Sequence, residues 1–116
     1  MDTLAKIRRH QEIIIGLLKE RAQYVPANLQ DCENQVVADK ERNHYLLITS
    51  GWDDDAKVQS TVFQLDIKPD GKIWLQSNWS DTDVAELLVQ KGVARSDIVI
   101  GFYPEFMRQG TDYAVA

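Results

Sequence analysis

The sequence predicts an α+β fold in which an N-terminal helix is followed by a four-stranded antiparallel meander, a second helix, and a short C-terminal strand or turn. Three observations predict it. Leu4, Ile7, Ile14, Leu17 and Leu18 recur at three- and four-residue spacings, the period of an amphipathic helix. From His44 to Gln76 three strand-like runs follow one another: Tyr45 to Trp52, Val58 to Ile67, and Lys72 to Gln76. Between the last two, Lys68-Pro69-Asp70-Gly71-Lys72 is the clearest turn in the chain, because proline presets its φ and glycine accepts a positive one.

In chain order, the first helix is expected over about residues 3 to 23, capped by Asp2 or Thr3 and ended before Pro26. Residues 28 to 34 then read as a polar connector holding Cys32, and Gln35-Val36-Val37-Ala38 as a short first strand. Asp39 to Asn43 suits a hairpin turn, His44 to about Trp52 a second strand, and Asp53 to Lys57 the next reversal. Val58 to Ile67 is long enough for the central strand of the meander, and Ile73 to Gln76 returns as the fourth. Ser80 or Asp81 is expected to cap the second helix, with Val84, Leu87 and Leu88 as its apolar stripe and Gly92 as a left-handed terminus. Ile98 to Phe102 reads as a short buried strand and Pro104 to Arg108 as a single helical turn. The apolar end, Tyr113-Ala114-Val115-Ala116, is expected to be tied down.

Strict alternation places Phe63, Leu65 and Ile67 on one face of the third strand and Val58 and Val62 on the other. The second strand likewise divides Tyr45 and Leu47 from Leu46, Ile48 and Trp52. Both faces of the sheet then carry apolar groups, and each needs a cover. The two helices cover one. The second face, with a tryptophan such as Trp74, is left either to the C-terminal segment or to a homodimer or partner contact.

At 116 residues the chain fits one domain, 1–116, with a single core. Thirteen Lys and Arg against 18 Asp and Glu give a net charge of -5, the wrong sign for gripping a phosphate backbone through a general basic surface. A local cluster, Lys6, Arg8, Arg9, Lys19 and Arg21, survives that argument, and its simpler reading is a solvated helix face. The start lacks the pattern of a signal peptide and no apolar run approaches a bilayer span, so a cytoplasmic protein without membrane contact is expected. The single cysteine, Cys32, has no CxxC partner, which agrees with a reducing compartment.

The constellations that carry chemistry are weak. Asp53, Asp54 and Asp55 lack the alternating ligand pattern of a calcium loop and read as a solvated acidic turn. His10 and His44 lie in no ligand-spaced motif and read as ordinary surface or edge residues, the alternative being a His pair brought together by the fold. Pro69-Asp70 is not followed by the acid-x-lysine triplet of a restriction-type nuclease. Trp52, Trp74 and Trp79 have no basic residues interleaved with them, which favours packing or a protein interface over base stacking. Spacing and composition indicate no catalytic residue, no cofactor and no metal site.

The ordered set Tyr45-Leu46-Leu47, Gly51-Trp52-Asp53, Asp70 to Gln76, Asp97 to Phe102 and the ending Tyr113-Ala114-Val115-Ala116 resembles the XisI family, cyanobacterial proteins known as fdxN element excision controlling factors. The similarity covers the whole chain; no single motif is diagnostic, and the ordered set, with Ile100-Gly101-Phe102-Tyr103-Pro104-Glu105 before the tail, makes the match specific. The resemblance implies a non-enzymatic role in controlling site-specific DNA rearrangement during heterocyst development, alongside a recombinase and an XisH-like companion that looks like a nuclease-fold protein. It carries no catalytic motif.

Three readings follow. In the first, the protein regulates excision through contacts with an XisH-like partner, and the interface includes Tyr45, Trp52 and Trp74. In the second, it binds duplex DNA directly through Lys6, Arg9 and Lys19 of the first helix. The third is a small hydrolase or nuclease component, with a site assembled by the fold from His44 and the Asp53 to Asp55 loop.

Overall fold

A computed structural model describes residues 2–116. Helix α1 spans Thr3–Ala22, and the Asp2 carboxylate accepts from the Leu4 N–H to cap it. Its buried stripe is His10, Ile14, Leu17 and Leu18. The sequence reading of His10 as a surface residue is therefore corrected: it falls four residues before Ile14, on the same side of the helix. After a helical turn at Ala27–Leu29 come β1 (Cys32–Asp39), β2 (His44–Asp53), β3 (Ala56–Ile67) and β4 (Ile73–Asn78). Helix α2 (Val84–Gln90) leads to β5 (Ile98–Ile100), and α3 is the single turn Glu105–Arg108.

The strands lie in the order β1-β2-β3-β4-β5, all neighbours antiparallel except β4 and β5. The expected meander is present, and the short C-terminal strand extends it to a five-stranded mixed sheet. Parallel pairing requires a crossover connection, which α2 supplies. The first strand begins at Cys32, inside the stretch expected to be connector, because Cys32, Glu33 and Asn34 pair with Gly51, Ser50 and Thr49 of the long second strand. Asn34 also donates to the Ala22 and Tyr24 carbonyls, so it holds the C-terminal end of α1 against β1.

Two turns form as expected. Gly71, at φ 90°, lets the Gly71 N–H reach the Lys68 carbonyl while the Lys68 N–H reaches that of Lys72. Gly92, at φ 106°, ends α2: the Val93 N–H bonds the Leu88 carbonyl and the Gly92 N–H that of Val89, which is a Schellman pair. The cap of α2 lies at Asp83, whose carboxylate accepts from the Glu86 N–H, not at Ser80 or Asp81. Ser80 is engaged instead by the Asn78 side chain, which also donates to the Thr82 carbonyl and turns the chain before the helix.

Helices α1 and α2 cover one sheet face. Their Ile14, Leu17, Leu18, Val84 and Leu88 form one core cluster with Tyr45, Leu47, Phe63, Leu65, Ile73 and Leu75 of the strands. Strict alternation fails at one point that matters. Leu47 pairs with Phe63 but Ile48 pairs with Thr61, so Val62 is the extra residue of a bulge. The insertion reverses parity along β3, and Val62 packs on the core beside Phe63 instead of facing away. Val58, opposite Gly51, shares that helix-covered side, so the second face is less apolar than alternation predicts.

Candidate interaction surface

The uncovered face is built by register. On β2 it presents His44, Leu46, Ile48, Ser50 and Trp52, and on β3 their partners Asp66, Gln64, Thr61, Gln59 and Lys57. Val37 of edge strand β1 lies opposite Leu46 and is 41% exposed. Leu46 and Ile48 are half-buried although no helix crosses them, an apolar strip on an otherwise polar face. Trp52, 51% exposed, stands near the hairpin end with the Lys57 ammonium 5.4 Å from its ring centroid.

At the other end the face is polar and ordered. The Asp66 carboxylate is nearly buried and accepts from Gln76 at 3.1 Å and Gln64 at 3.3 Å, with the His44 Nδ1 at 2.8 Å. Beside it two cations approach the Trp74 ring, Lys68 at 5.5 Å and Arg108 at 5.2 Å from its centroid. Arg108 comes from α3, and its Nη1 also bonds the Tyr103 carbonyl. Past β5 the tail is held by the Ala114 N–H, which donates to the Ile98 carbonyl, and Val99 is fully buried. Of the two candidate covers for the second face, the C-terminal segment is present and reaches only part of it. The C-terminal segment takes the β4–β5 side, and the side formed by β1 to β3 stays open.

Of the interface set predicted from sequence, Trp52 is available and Trp74 is half-buried beneath a cation. Tyr45 is corrected to a core residue: it is fully buried on the helix-covered face, with its hydroxyl donating to the Asn43 side chain. Of the DNA-contact set, Arg9 and Lys19 are exposed, but Lys6 is not a free cation. Its ammonium lies 3.1 Å from the Asp97 carboxylate and joins α1 to the turn before β5. The fold does not assemble His44 with Asp53, Asp54 and Asp55. His44 begins the ten-residue β2 and Asp53 ends it, about 30 Å away at strand rise, with Asp54 and Asp55 in the turn beyond. Nor does it pair the histidines, since His10 faces the core under α1 while His44 shares the opposite face with Asp66. Among the described residues there is no group of three His, Cys, Asp or Glu side chains able to hold a metal.

Two features escaped sequence reasoning. Glu86, Arg95 and Tyr113 form a cluster in which Arg95 grips Glu86 with two hydrogen bonds and the Tyr113 hydroxyl donates to Glu86 at 2.7 Å. The guanidinium and the hydroxyl hold the Glu86 carboxyl down at about 2, while burial and the carboxylate push Tyr113 up to about 12. The cluster ties the tail to α2, and no local pattern marks it. The second feature is a cleft of about 370 Å³ on the helix-covered side. Helix α1 is about 30 Å long and twelve-residue β3 spans about 40 Å, so the sheet outruns its cover. The cleft lies between the end of α1, with Arg21 and Tyr24, and the loop Trp79-Ser80-Asp81, over Leu47, Val62 and Phe63. A signal for it was present in Trp79, a large apolar residue placed in a turn.

Fold and surfaces together define the class: a small α+β domain with one sheet face partly uncovered, and no described helix long and apolar enough to cross a membrane. The XisI protein family model matches residues 1–115, and the chain belongs to that family. It is similar to a XisI-like protein from Anabaena variabilis ATCC 29413, at 44% identity and a TM-score of 0.85, over 95% of this chain and 99% of that one. It is also similar to the fdxN element excision controlling factor XisI of the same organism, at 26% identity and a TM-score of 0.79, over 96% of this chain and 99% of that one. A comparison with curated proteins returns no match.

Proposed function

We propose that this protein is a non-enzymatic controlling factor for site-specific excision of a DNA element, acting in the cytoplasm through protein contacts with an XisH-like partner. The similarity to a structure described as an excision controlling factor supports the role. The observation that carries the mode of action is the open side of the sheet, where Leu46, Ile48, Val37 and Trp52 present apolar surface that no element among the described residues covers. Aromatic and apolar groups on a half-polar face suit a protein interface, where a few such residues supply most of the affinity. The acidic balance and the Lys6–Asp97 ion pair weigh against the direct DNA reading, which needs free cations on α1.

The role is tested with a reporter in which excision of an element flanked by recombination sites is scored with the recombinase and the XisH-like protein present. Addition of this chain should change the excision frequency, and Trp52→Ala should abolish that change. Equal frequencies with and without the chain would remove the proposal.

A further inference from the structure

We propose that the protein forms a twofold homodimer in which the Trp79 indole of each copy enters the other copy's cleft and brings Asp81 against Arg21. Trp79 is 84% exposed, the highest value among the large hydrophobic residues described. Leaving an indole in water is unfavourable, and burying one removes about 150 to 250 Å² from solvent. Its backbone is held in place: the Trp79 N–H bonds the Val62 carbonyl, and the Asn78 side chain accepts from the N–H of the following Ser80. Little backbone ordering is left to be lost on association, which favours binding.

The occupant is a second copy because knob and hole share one patch. In a twofold contact each residue meets its counterpart's partner reciprocally, so one surface must carry both halves of the interaction. Here Trp79 forms one wall of a cleft of about 370 Å³, large enough to receive an indole, in which Leu47, Val62 and Phe63 lie beside the polar Thr49 and Ser60. The charges agree. Arg21 stands on the α1 wall and Asp81 on the Trp79 wall, and among the described residues neither is in an ion pair within its own chain. A twofold rotation that seats Trp79 carries Asp81, two residues on, toward the other copy's Arg21. The patch lies on the helix-covered side, so the dimer leaves the open face of β1 to β3 free, and this inference does not depend on the hetero-partner reading.

The test uses the purified chain alone, with mass measured by light scattering across a concentration series. A dimer is expected, and Trp79→Ser should raise its dissociation constant at least about tenfold while circular dichroism is unchanged. Arg21→Asp and Asp81→Arg should each weaken the dimer. Mixing those two variants should restore it, because the mixed pair sets opposite charges at both contacts, which an ion pair within one chain cannot do. A monomer at all concentrations, a dimer indifferent to Trp79→Ser, or a mixture that stays monomeric would each overturn the proposal.

Discussion

The imidazole of His10 is joined to the backbone of Gly71: Nδ1 lies 2.7 Å from the Gly71 carbonyl oxygen, linking the middle of α1 to the tight turn between β3 and β4. A carbonyl only accepts, so Nδ1 carries the proton and Nε2 is the bare nitrogen. That Nε2 is buried without a hydrogen-bond partner. Protonating it would place a cation in the core, and burial accordingly holds His10 below its ordinary 6.5; Arg9 and Lys6 act in the same direction, while the Gly71 bond and Asp97 oppose them.

The sign of the resulting pH dependence is fixed. Below pH 6.5 the unfolded chain takes up a proton at this position and the folded chain does not. The stability that His10 contributes is therefore complete above pH 6.5 and declines as pH falls toward its depressed folded value. Urea unfolding at pH 7.5 and 5.5 should show a larger loss for the parent protein than for His10→Gln, whose amide can keep the Gly71 bond but cannot titrate. Equal losses in the two proteins would contradict the assignment.

The Glu86–Arg95–Tyr113 cluster predicts two titrations outside the usual ranges. Glu86, held at about 2 against an ordinary 4.5, contributes stability above pH 4.5 that is lost as pH falls through 2. Tyr113 runs the other way: raised to about 12 from 10, it contributes below pH 10 and ceases to do so as pH rises through 12. In Glu86→Gln the Tyr113 ring, followed by NMR, should ionise closer to 10. A tyrosine titration unchanged by that substitution would mean that the hydroxyl is not bonded to this carboxylate.

Tyr45 and Trp52, grouped together in sequence as aromatics on one strand, should separate cleanly in thermodynamics. Tyr45→Ala empties a buried ring position and should cost about 3 to 5 kcal/mol, comparable to other large aromatic truncations in cores. Trp52→Ala, at an exposed position, should change stability by no more than about 0.5 kcal/mol. Chemical unfolding of the two variants checks this. Similar losses in both would place Trp52 in the core and remove it from the interaction surface.

The contrast between those residues shows which parts of the molecule were legible in sequence. Helix α1 was readable because its apolar residues keep helical spacing from Ile7 to Leu18, and the end of α2 because Gly92 can take a positive φ with little strain. The hairpin at Gly71 followed from proline and glycine chemistry for the same reason. His10 was not readable, since a polar letter in an apolar stripe gives no sign that a distant carbonyl will satisfy one of its nitrogens. The bulge at Val62 was hidden because one extra residue leaves no mark in composition yet reverses the facing of the residues beyond it. Glu86, Arg95 and Tyr113 meet only through the packing of α2 against the tail, and Trp79 acquires its cleft only because α1 is shorter than β3.

The central claim, action through a protein partner at the open face of β1 to β3, is tested most directly by co-expressing this chain with an XisH-like protein and measuring the mass of the eluted species by light scattering. The account predicts a single species containing both chains, dispersed by Trp52→Ala or by Leu46→Lys, with each variant still folded. Two separate peaks, each carrying one chain alone, would contradict it.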